Sequence, residues 1–151
     1  MDNRNLGQYK WDIRIDSAKI IGQELGAYGW YASCEKGSAE GCGTADLASY
    51  EHGTLLALVR ALSWCYDSGI KQVRIFADKS FIDNVTLVEH GLRGKQPATL
   101  KLLDRVRAAE GYVHWDFVAL SPDDGYHTKY MLPMLMRELK RAMCESEEDI
   151  A

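Results

Sequence analysis

The sequence lacks the features of a membrane-spanning, secreted or zinc-binding protein. Its 151 residues contain no apolar run near the ~18 residues that a membrane-spanning helix needs, and its first residues form no apolar signal-peptide core. Only four cysteines are present, and none forms a Cys-x-x-Cys pair or lies beside a suitable pair of histidines. We therefore expect reduced cysteines with Cys65 in the core, no structural zinc site, and a cytoplasmic protein of a cell or a virus.

A large excess of positive charge is also missing. The chain carries 18 Lys and Arg against 22 Asp and Glu, which gives a net charge of −4. This balance argues against a general nucleic-acid coat, whose affinity comes from many contacts between basic side chains and phosphates. It does not exclude an enzyme that contacts a few phosphates. The length and the 46% hydrophobic content predict one domain over residues 1–151, with a core over about 10–143 and an acidic tail at 145–151.

The spacing of apolar residues predicts the order of the secondary structure elements. Alternation predicts a strand over 10–16, and apolar residues three and four apart predict a helix over 49–66. Further strands are predicted over 26–34, 39–43, 73–78 and 112–120, and further helices over 80–90, 100–109 and 130–144, with Pro133 in the first turn of the last helix. This βββαβααβα order predicts an α/β fold with a mixed five-stranded sheet and helices on its faces.

Three acidic residues occupy positions from which their carboxylates can converge. Asp16 closes the first predicted strand, Asp78 closes the fourth, and Glu51 lies one turn before Leu55 at the head of the apolar stripe of the first helix. Carboxylates that cluster away from water repel one another and are costly to ionise. A divalent cation offsets this repulsion, and carboxylate oxygens suit Mg²⁺ or Mn²⁺. The pattern therefore predicts a metal site built from these three side chains.

In order and spacing, these segments resemble ribonuclease H type 1, within the wider ribonuclease-H-like nuclease superfamily. The similarity extends from about Lys10 to Ala142 and so covers most of the chain. It rests on the strand ending in Asp16, on Tyr28-Gly29-Trp30, on Glu51 followed nine residues later by Arg60-Ala61-Leu62, on Phe76-Ala77-Asp78-Lys79-Ser80, and on Val113-His114-Trp115-Asp116-Phe117-Val118.

The resemblance implies a metal-dependent endonuclease that hydrolyses the RNA strand of RNA/DNA hybrids with two Mg²⁺ or Mn²⁺ ions, acting as a monomer. Asp16 would bridge the two ions, and Glu51 and Asp78 would anchor one ion each. Asp124 or His127 would complete the second ion's shell or help the product leave. The shape of the duplex and the 2′-OH groups of the RNA strand would select the hybrid, and Glu51 would lie near a 2′-OH. Substrate contacts are implied at Ser17, Lys79, Ser80, Arg93 and Lys95.

The sequence also departs from the family pattern. Family members have Asp-Gly-Ser after the first strand, whereas this chain has Asp16-Ser17-Ala18, and residues 19–25 replace a glycine-rich turn. A fourth acidic residue is expected at the start of the last helix, but no Asp or Glu occurs over residues 126–137. The nearby substitutes are Asp123, Asp124 and His127. Arg93-Gly94-Lys95 stands in for the family's basic substrate-binding protrusion.

These departures leave two other functions open. A histidine near the fourth acidic position suits a nuclease that acts on structured DNA, such as a four-way junction. The missing fourth acid, the missing glycine-rich turn and the negative net charge instead favour a ribonuclease-H-like binding module with weakened or lost catalysis. Of the three functions, hydrolysis of the hybrid is the one that we expect from the sequence.

Overall fold

The computed structural model describes residues 3–86 and 97–150, and within them the side chains of 6–86, 97 and 99–144. Five strands and four α-helices lie in these ranges. The strands are β1 Trp11–Lys19, β2 Leu25–Cys34, β3 Gly37–Asp46, β4 Gln72–Ala77 and β5 His114–Ala119. The helices are α1 Tyr50–Asp67, α2 Lys79–Thr86, α3 Pro97–Ala109 and α4 Leu132–Ile150. A 3-10 helix over Asn3–Gln8 precedes β1, and a π-helical turn over His127–Met131 leads into α4.

The strands form one mixed sheet in the order β3-β2-β1-β4-β5. β1, β2 and β3 make an antiparallel meander, while β4 lies parallel to β1 and β5 lies parallel to β4. The predicted α/β fold with a mixed five-stranded sheet is confirmed. β1 is the central strand and pairs with β4 over residues 11–14. Its second half therefore extends past the end of this parallel pairing.

β1 is longer than the sequence pattern predicted. The pattern ended the strand at Asp16, whereas pairing with β2 continues through Lys19. A close backbone approach accompanies this extension, because a Cβ atom on Gly26 would lie 2.8 Å from the Ala18 carbonyl oxygen. The prediction that Asp16 ends the strand is therefore wrong. Asp16 is held inside a strand, where its direction is fixed by the alternation of side chains.

The helices cover both faces of the sheet and divide the polar residues of β1 between them. Ile13 and Ile15 belong to the core under α1 and α3, whereas Arg14 and Asp16 point to the opposite face, where α4 packs. On that face Met131, Met134, Leu135 and Leu139 bury against Ala27 and Tyr31. The sheet therefore presents Asp16 to the turn that precedes α4.

Several smaller predictions can be compared with the structure. α1 begins at Ser49, whose Oγ accepts a hydrogen bond from the His52 amide, and the predicted apolar stripe is buried. Cys65 is buried and Pro133 lies in the first turn of α4, as predicted. Met131 and Met134 are buried, whereas Met136 is 58% exposed. The predicted second helix begins at Lys79, and its last four residues lie outside the described ranges.

No helix in the described ranges has both the length and the apolar character that crossing a membrane requires.

Candidate functional site

Asp16 is the centre of a nearly buried polar cluster, with its side chain 11% exposed. Its Oδ1 accepts hydrogen bonds from the Tyr50 hydroxyl at 2.6 Å and the Ser17 amide at 2.8 Å. Its Oδ2 lies 2.7 Å from Nε2 of His127. Because an ionised carboxylate only accepts hydrogen bonds, Nε2 carries the proton in this pair. Both oxygens of Asp16 are therefore bonded to groups of the protein itself.

The first turn of α1 supplies one donor to Asp16, the Tyr50 hydroxyl, and also holds the neighbouring Ser17. The Ser17 hydroxyl donates to the Tyr50 carbonyl oxygen at 2.9 Å and pairs with Oγ1 of Thr54, also at 2.9 Å. Thr54 is fully buried, and Gly53 leaves room for the contact, because a Cβ there would lie 2.7 Å from the Ser17 Cβ. Burial and the negative charge of Asp16 raise the pKa of Tyr50 well above its usual value, so its hydroxyl remains a donor.

The other two members of the predicted acidic trio lie at the starts of helices, Asp78 just before α2 and Glu51 in the first turn of α1. Asp78 is exposed just after β4, where its Oδ1 accepts a hydrogen bond from the Ser80 amide at 2.9 Å and its carbonyl accepts one from the Ile82 amide. It is therefore the N-cap of α2. Glu51 is half-buried on α1. Because Arg14 of β1 pairs with Phe76 of the parallel strand β4, Asp16 and Asp78 lie at the same end of the sheet.

Asp124 forms a nearly buried ion pair with Arg14, and the two side chains are 12% and 7% exposed. Nε and Nη2 of Arg14 donate to the two carboxylate oxygens at 2.9 and 3.3 Å. The guanidinium lies over the rings of Phe76 and Tyr126, at 4.8 and 4.6 Å from their centroids. The His127 amide also donates to Oδ1 of Asp124, at 2.8 Å. Asp124 therefore fixes the backbone from which His127 reaches Asp16.

The charge environment of Asp124 is consistent with this geometry. Burial alone would raise the pKa of its carboxyl group. The hydrogen bonds from Arg14 and from the His127 amide, together with the Arg14 charge, outweigh burial and hold that pKa below its usual value. Asp124 therefore stays ionised as the partner of Arg14.

The hydrogen bonds of this donor set compete with a pair of divalent ions. Ions ~4 Å apart need converging carboxylates and one that bridges both ions. In the structure the oxygens of Asp16 accept hydrogen bonds from Tyr50 and Ser17 and pair with His127, and those of Asp124 accept hydrogen bonds from Arg14. Across residues 3–86 and 97–150, no group of three or more His, Cys, Asp or Glu side chains is arranged to hold a metal ion. The assignment of Asp16, Glu51 and Asp78 as a metal-binding trio stays a prediction.

The predicted substrate contacts fall into three groups. Lys79 and Ser80 are exposed at the start of α2, beside Asp78. Ser17 is buried with its hydroxyl bonded to α1, which leaves it no path to a ligand. Arg93 and Lys95 lie outside the described residues. Among the described residues, the accessible members of this set are therefore at the end of β4.

Sequence reasoning missed Arg14, Tyr50 and Thr54 as parts of this site. A signal existed for Arg14, because alternation along β1 places it on the same face as Asp16. A signal existed for Thr54 as well, because it is a polar residue next to the apolar stripe and one turn after Tyr50. On α1 the sequence pattern identified Glu51 by its charge, whereas Tyr50 and Thr54 are uncharged.

Comparisons with known proteins agree with the topology. No protein-family model and no curated protein matches the sequence. Among solved structures, the N-terminal RNase H domain of Rv2228c from Mycobacterium tuberculosis aligns with 95% of this chain and 99% of its own, at 16% identity and a TM-score of 0.68. RNase H1 from the archaeon Halobacterium salinarum aligns with 75% of this chain and 86% of its own, at 19% identity and a TM-score of 0.61.

A third similar structure is LC11-RNase H1, from a compost metagenome, in complex with an RNA/DNA hybrid. It aligns with 89% of this chain and 99% of its own, at 15% identity and a TM-score of 0.69. At such identities a structural match reports on architecture and not on activity. On the topology and these matches, the chain has the ribonuclease H fold.

Proposed function

We propose that this chain binds RNA/DNA hybrid duplexes at the end of the sheet that carries Asp16, and that it does so without two-metal hydrolysis. The fold supports a nucleic-acid ligand, because a structure of the same architecture, LC11-RNase H1, is in complex with an RNA/DNA hybrid. The absence of two-metal hydrolysis is inferred from the hydrogen bonds of Asp16, whose two carboxylate oxygens are bonded to Tyr50, Ser17 and His127.

The hydrogen bonds of Asp16 and Asp124 make metal binding at these residues costly. An ion at Oδ1 would compete with the Tyr50 hydroxyl and the Ser17 amide, and an ion at Oδ2 would lie close to the proton on Nε2 of His127. An ion at Asp124 would leave the Arg14 guanidinium nearly buried without its partner, which is strongly unfavourable. The same residues that make a stable protein network therefore oppose a metal pair.

The duplex would meet exposed groups around this network. Lys79 and Ser80 lie at the start of α2, and Lys129 lies on the turn that carries His127. Basic side chains at the edge of the site suit phosphates, whereas the shape of the duplex and its 2′-OH groups distinguish a hybrid from duplex DNA. With few cations, binding is expected to be moderate in affinity and weakly dependent on salt.

Metal-dependent hydrolysis of the RNA strand is the second candidate. The parallel register of β1 and β4 favours it, because Arg14 pairs with Phe76, and Asp16 and Asp78 each follow two residues later at the same end of the sheet. This function requires Tyr50 to leave Asp16, and the carboxylates of Asp16, Glu51 and Asp78 to hold the ions. Cleavage of structured DNA, such as a four-way junction, makes the same demand.

Binding and cleavage measured on the same samples separate these functions. Fluorescence anisotropy would follow a labelled hybrid, duplex DNA, duplex RNA and a four-way junction, each with Mg²⁺, with Mn²⁺ and with chelator, and gels would then report strand integrity. We expect the hybrid to bind best, equally well in chelator, and to stay intact. Cutting of the RNA strand that needs metal and is lost in Asp16→Asn would contradict this and establish the nuclease.

A matched pair of variants locates the binding surface. Lys79→Gln combined with Lys129→Gln removes two cations near the site, and is expected to reduce the slope of log K against log salt by about two. Lys36→Gln removes an equally exposed cation at the turn between β2 and β3, which is at the far end of the sheet, and is expected to leave the slope unchanged. Equal losses in the two proteins would place the ligand elsewhere.

A further inference from the structure

A groove between α1 and α3 lies far from Asp16 and has two chemically distinct ends. It has a volume of about 500 Å³, and its floor is made of small and branched apolar side chains. Its rims carry Arg60, Ser63 and Tyr66 from α1, Arg105 from α3, and Tyr112 from the segment that follows α3. Since α1 rises ~1.5 Å per residue from Tyr50 to Tyr66, the groove's far end is ~24 Å from the Asp16 cluster.

The topology brings the two tyrosines together at one end of the groove. α1 and α3 lead into β4 and β5, which begin side by side with Gln72 opposite His114. The two helices therefore end at the same edge, where the rings of Tyr66 and Tyr112 meet edge to face at 5.2 Å. The tyrosines are 62% and 64% exposed. Aromatic side chains bury a large area when they pack in a core or an interface, so this pair leaves ring surface available to a ligand.

The two arginines lie toward the other end of the groove. Arg60 is six residues before Tyr66 on α1, which corresponds to ~9 Å along the helix, and Arg105 lies on α3 four residues before its end at Ala109. Both are exposed, and within the described residues neither guanidinium has a carboxylate partner within ion-pair distance. Two guanidinium groups facing one groove are suited to an anion with several oxygens, such as a phosphate.

We propose that this groove binds a phosphorylated nucleoside, with the base against Tyr66 and Tyr112 and the phosphate between Arg60 and Arg105. A planar ring joined to an anion through a sugar matches the separation of the two ends. The groove's volume lies in the range of pockets that hold small molecules rather than that of a protein interface. A free nucleotide and the terminal nucleotide of a nucleic-acid strand share this chemistry. The site is independent of the function proposed for Asp16.

Nuclear magnetic resonance titrations of the full chain test this assignment. The probes are adenosine 5′-monophosphate, adenosine, inorganic phosphate, and a short 5′-phosphorylated oligo(dA). We expect adenosine 5′-monophosphate to shift the amide resonances of Arg60, Ser63, Tyr66 and Arg105, and to bind at least about tenfold more tightly than adenosine or phosphate alone, because only it contacts both ends. Tighter binding of the oligonucleotide would identify a strand end as the source, and weaker binding would identify a free nucleotide.

Variants of exposed arginines keep the test specific. Arg60→Gln combined with Arg105→Gln is expected to weaken binding of adenosine 5′-monophosphate at least about tenfold with the rest of the spectrum unchanged. Arg107→Gln alters an equally exposed arginine of α3 that does not line the groove, and should bind normally. Absence of binding at millimolar concentration, adenosine binding as tightly as its monophosphate, or an equal loss in Arg107→Gln would each overturn the proposal.

Discussion

Replacement of Asp124 by alanine is expected to lower the free energy of unfolding by about 3 kcal/mol. The reason is that Arg14 stays behind with 7% of its side chain exposed, enclosed by the rings of Phe76 and Tyr126. A guanidinium in this position loses a bidentate partner and gains little water in return. The His127 amide also loses its acceptor. Denaturant unfolding, followed by fluorescence and circular dichroism, measures the loss.

An exposed ion pair in the same sheet provides the control. Asp12 and Arg74 make a similar two-bond contact, at 2.8 Å in both bonds, but Arg74 is 58% exposed. Asp12→Ala is therefore expected to cost less than about 1 kcal/mol. The double variant Arg14→Met/Asp124→Leu should recover most of the stability lost in Asp124→Ala, because it leaves no buried charge unpaired. Similar costs for Asp124→Ala and Asp12→Ala would show that the Arg14 pair does not stabilise the site.

The pKa of Asp124 gives the same contact a dependence on pH. Its pKa is held below the usual value in the folded protein, chiefly by Arg14 acting against the effect of burial. A carboxyl group with a lowered folded-state pKa contributes stability above its unfolded pKa of ~3.9 and loses that contribution as the pH falls through the folded value. Wild type should therefore lose more stability than Asp124→Asn when the pH is lowered from 6 to about 3.

Replacement of Asp16 by asparagine is expected to lower the free energy of unfolding by about 1–2 kcal/mol in chelator. In the structure, the carboxylate accepts hydrogen bonds from Tyr50 and Ser17 and pairs with Nε2 of His127. An amide keeps the shape but weakens all three contacts, since they no longer involve an ionised acceptor. The measurement is denaturant unfolding of the two proteins without metal.

The sign of this effect separates two descriptions of the site. In a cluster of unpaired carboxylates, removal of one charge relieves repulsion and stabilises the metal-free protein. In the hydrogen-bonded network described above, removal of the same charge destabilises it. Asp116→Asn is the control, because Asp116 is 70% exposed on β5 and should change stability by less than about 0.5 kcal/mol. A clear increase in the stability of Asp16→Asn would contradict the network.

The periodic parts of the sequence were sufficient to predict the sheet and its helices. Alternation located β1 and β5, and the leucine stripe located α1 to within one residue at each end. The order of these elements then led to the ribonuclease H fold. The end of β1 was misplaced because Ser17 and Ala18 carry no strand signal of their own. Their pairing depends on β2, which local patterns do not report.

The site was less accessible to sequence reasoning because its contacts are distant along the chain. Arg14 and Asp124 are 110 residues apart, and Asp16 and His127 are 111 apart. The type of a residue indicates that it can pair, but not with which partner. Asp16 and His127, both selected from the sequence, lie in contact in the structure, whereas the positions of Tyr50 and Thr54 depend on the rotation of α1 about its axis.

Manganese binding tests the central claim most directly, namely that protein groups and not metal ions occupy the carboxylates around Asp16. Electron paramagnetic resonance of free Mn²⁺ would give the number of ions bound to the wild type and to Asp16→Asn, alone and with saturating RNA/DNA hybrid, with the hybrid alone as reference. Our account predicts no difference between the two proteins in either condition. Two ions bound to the wild type and lost in Asp16→Asn would contradict it and support the function of a two-metal nuclease.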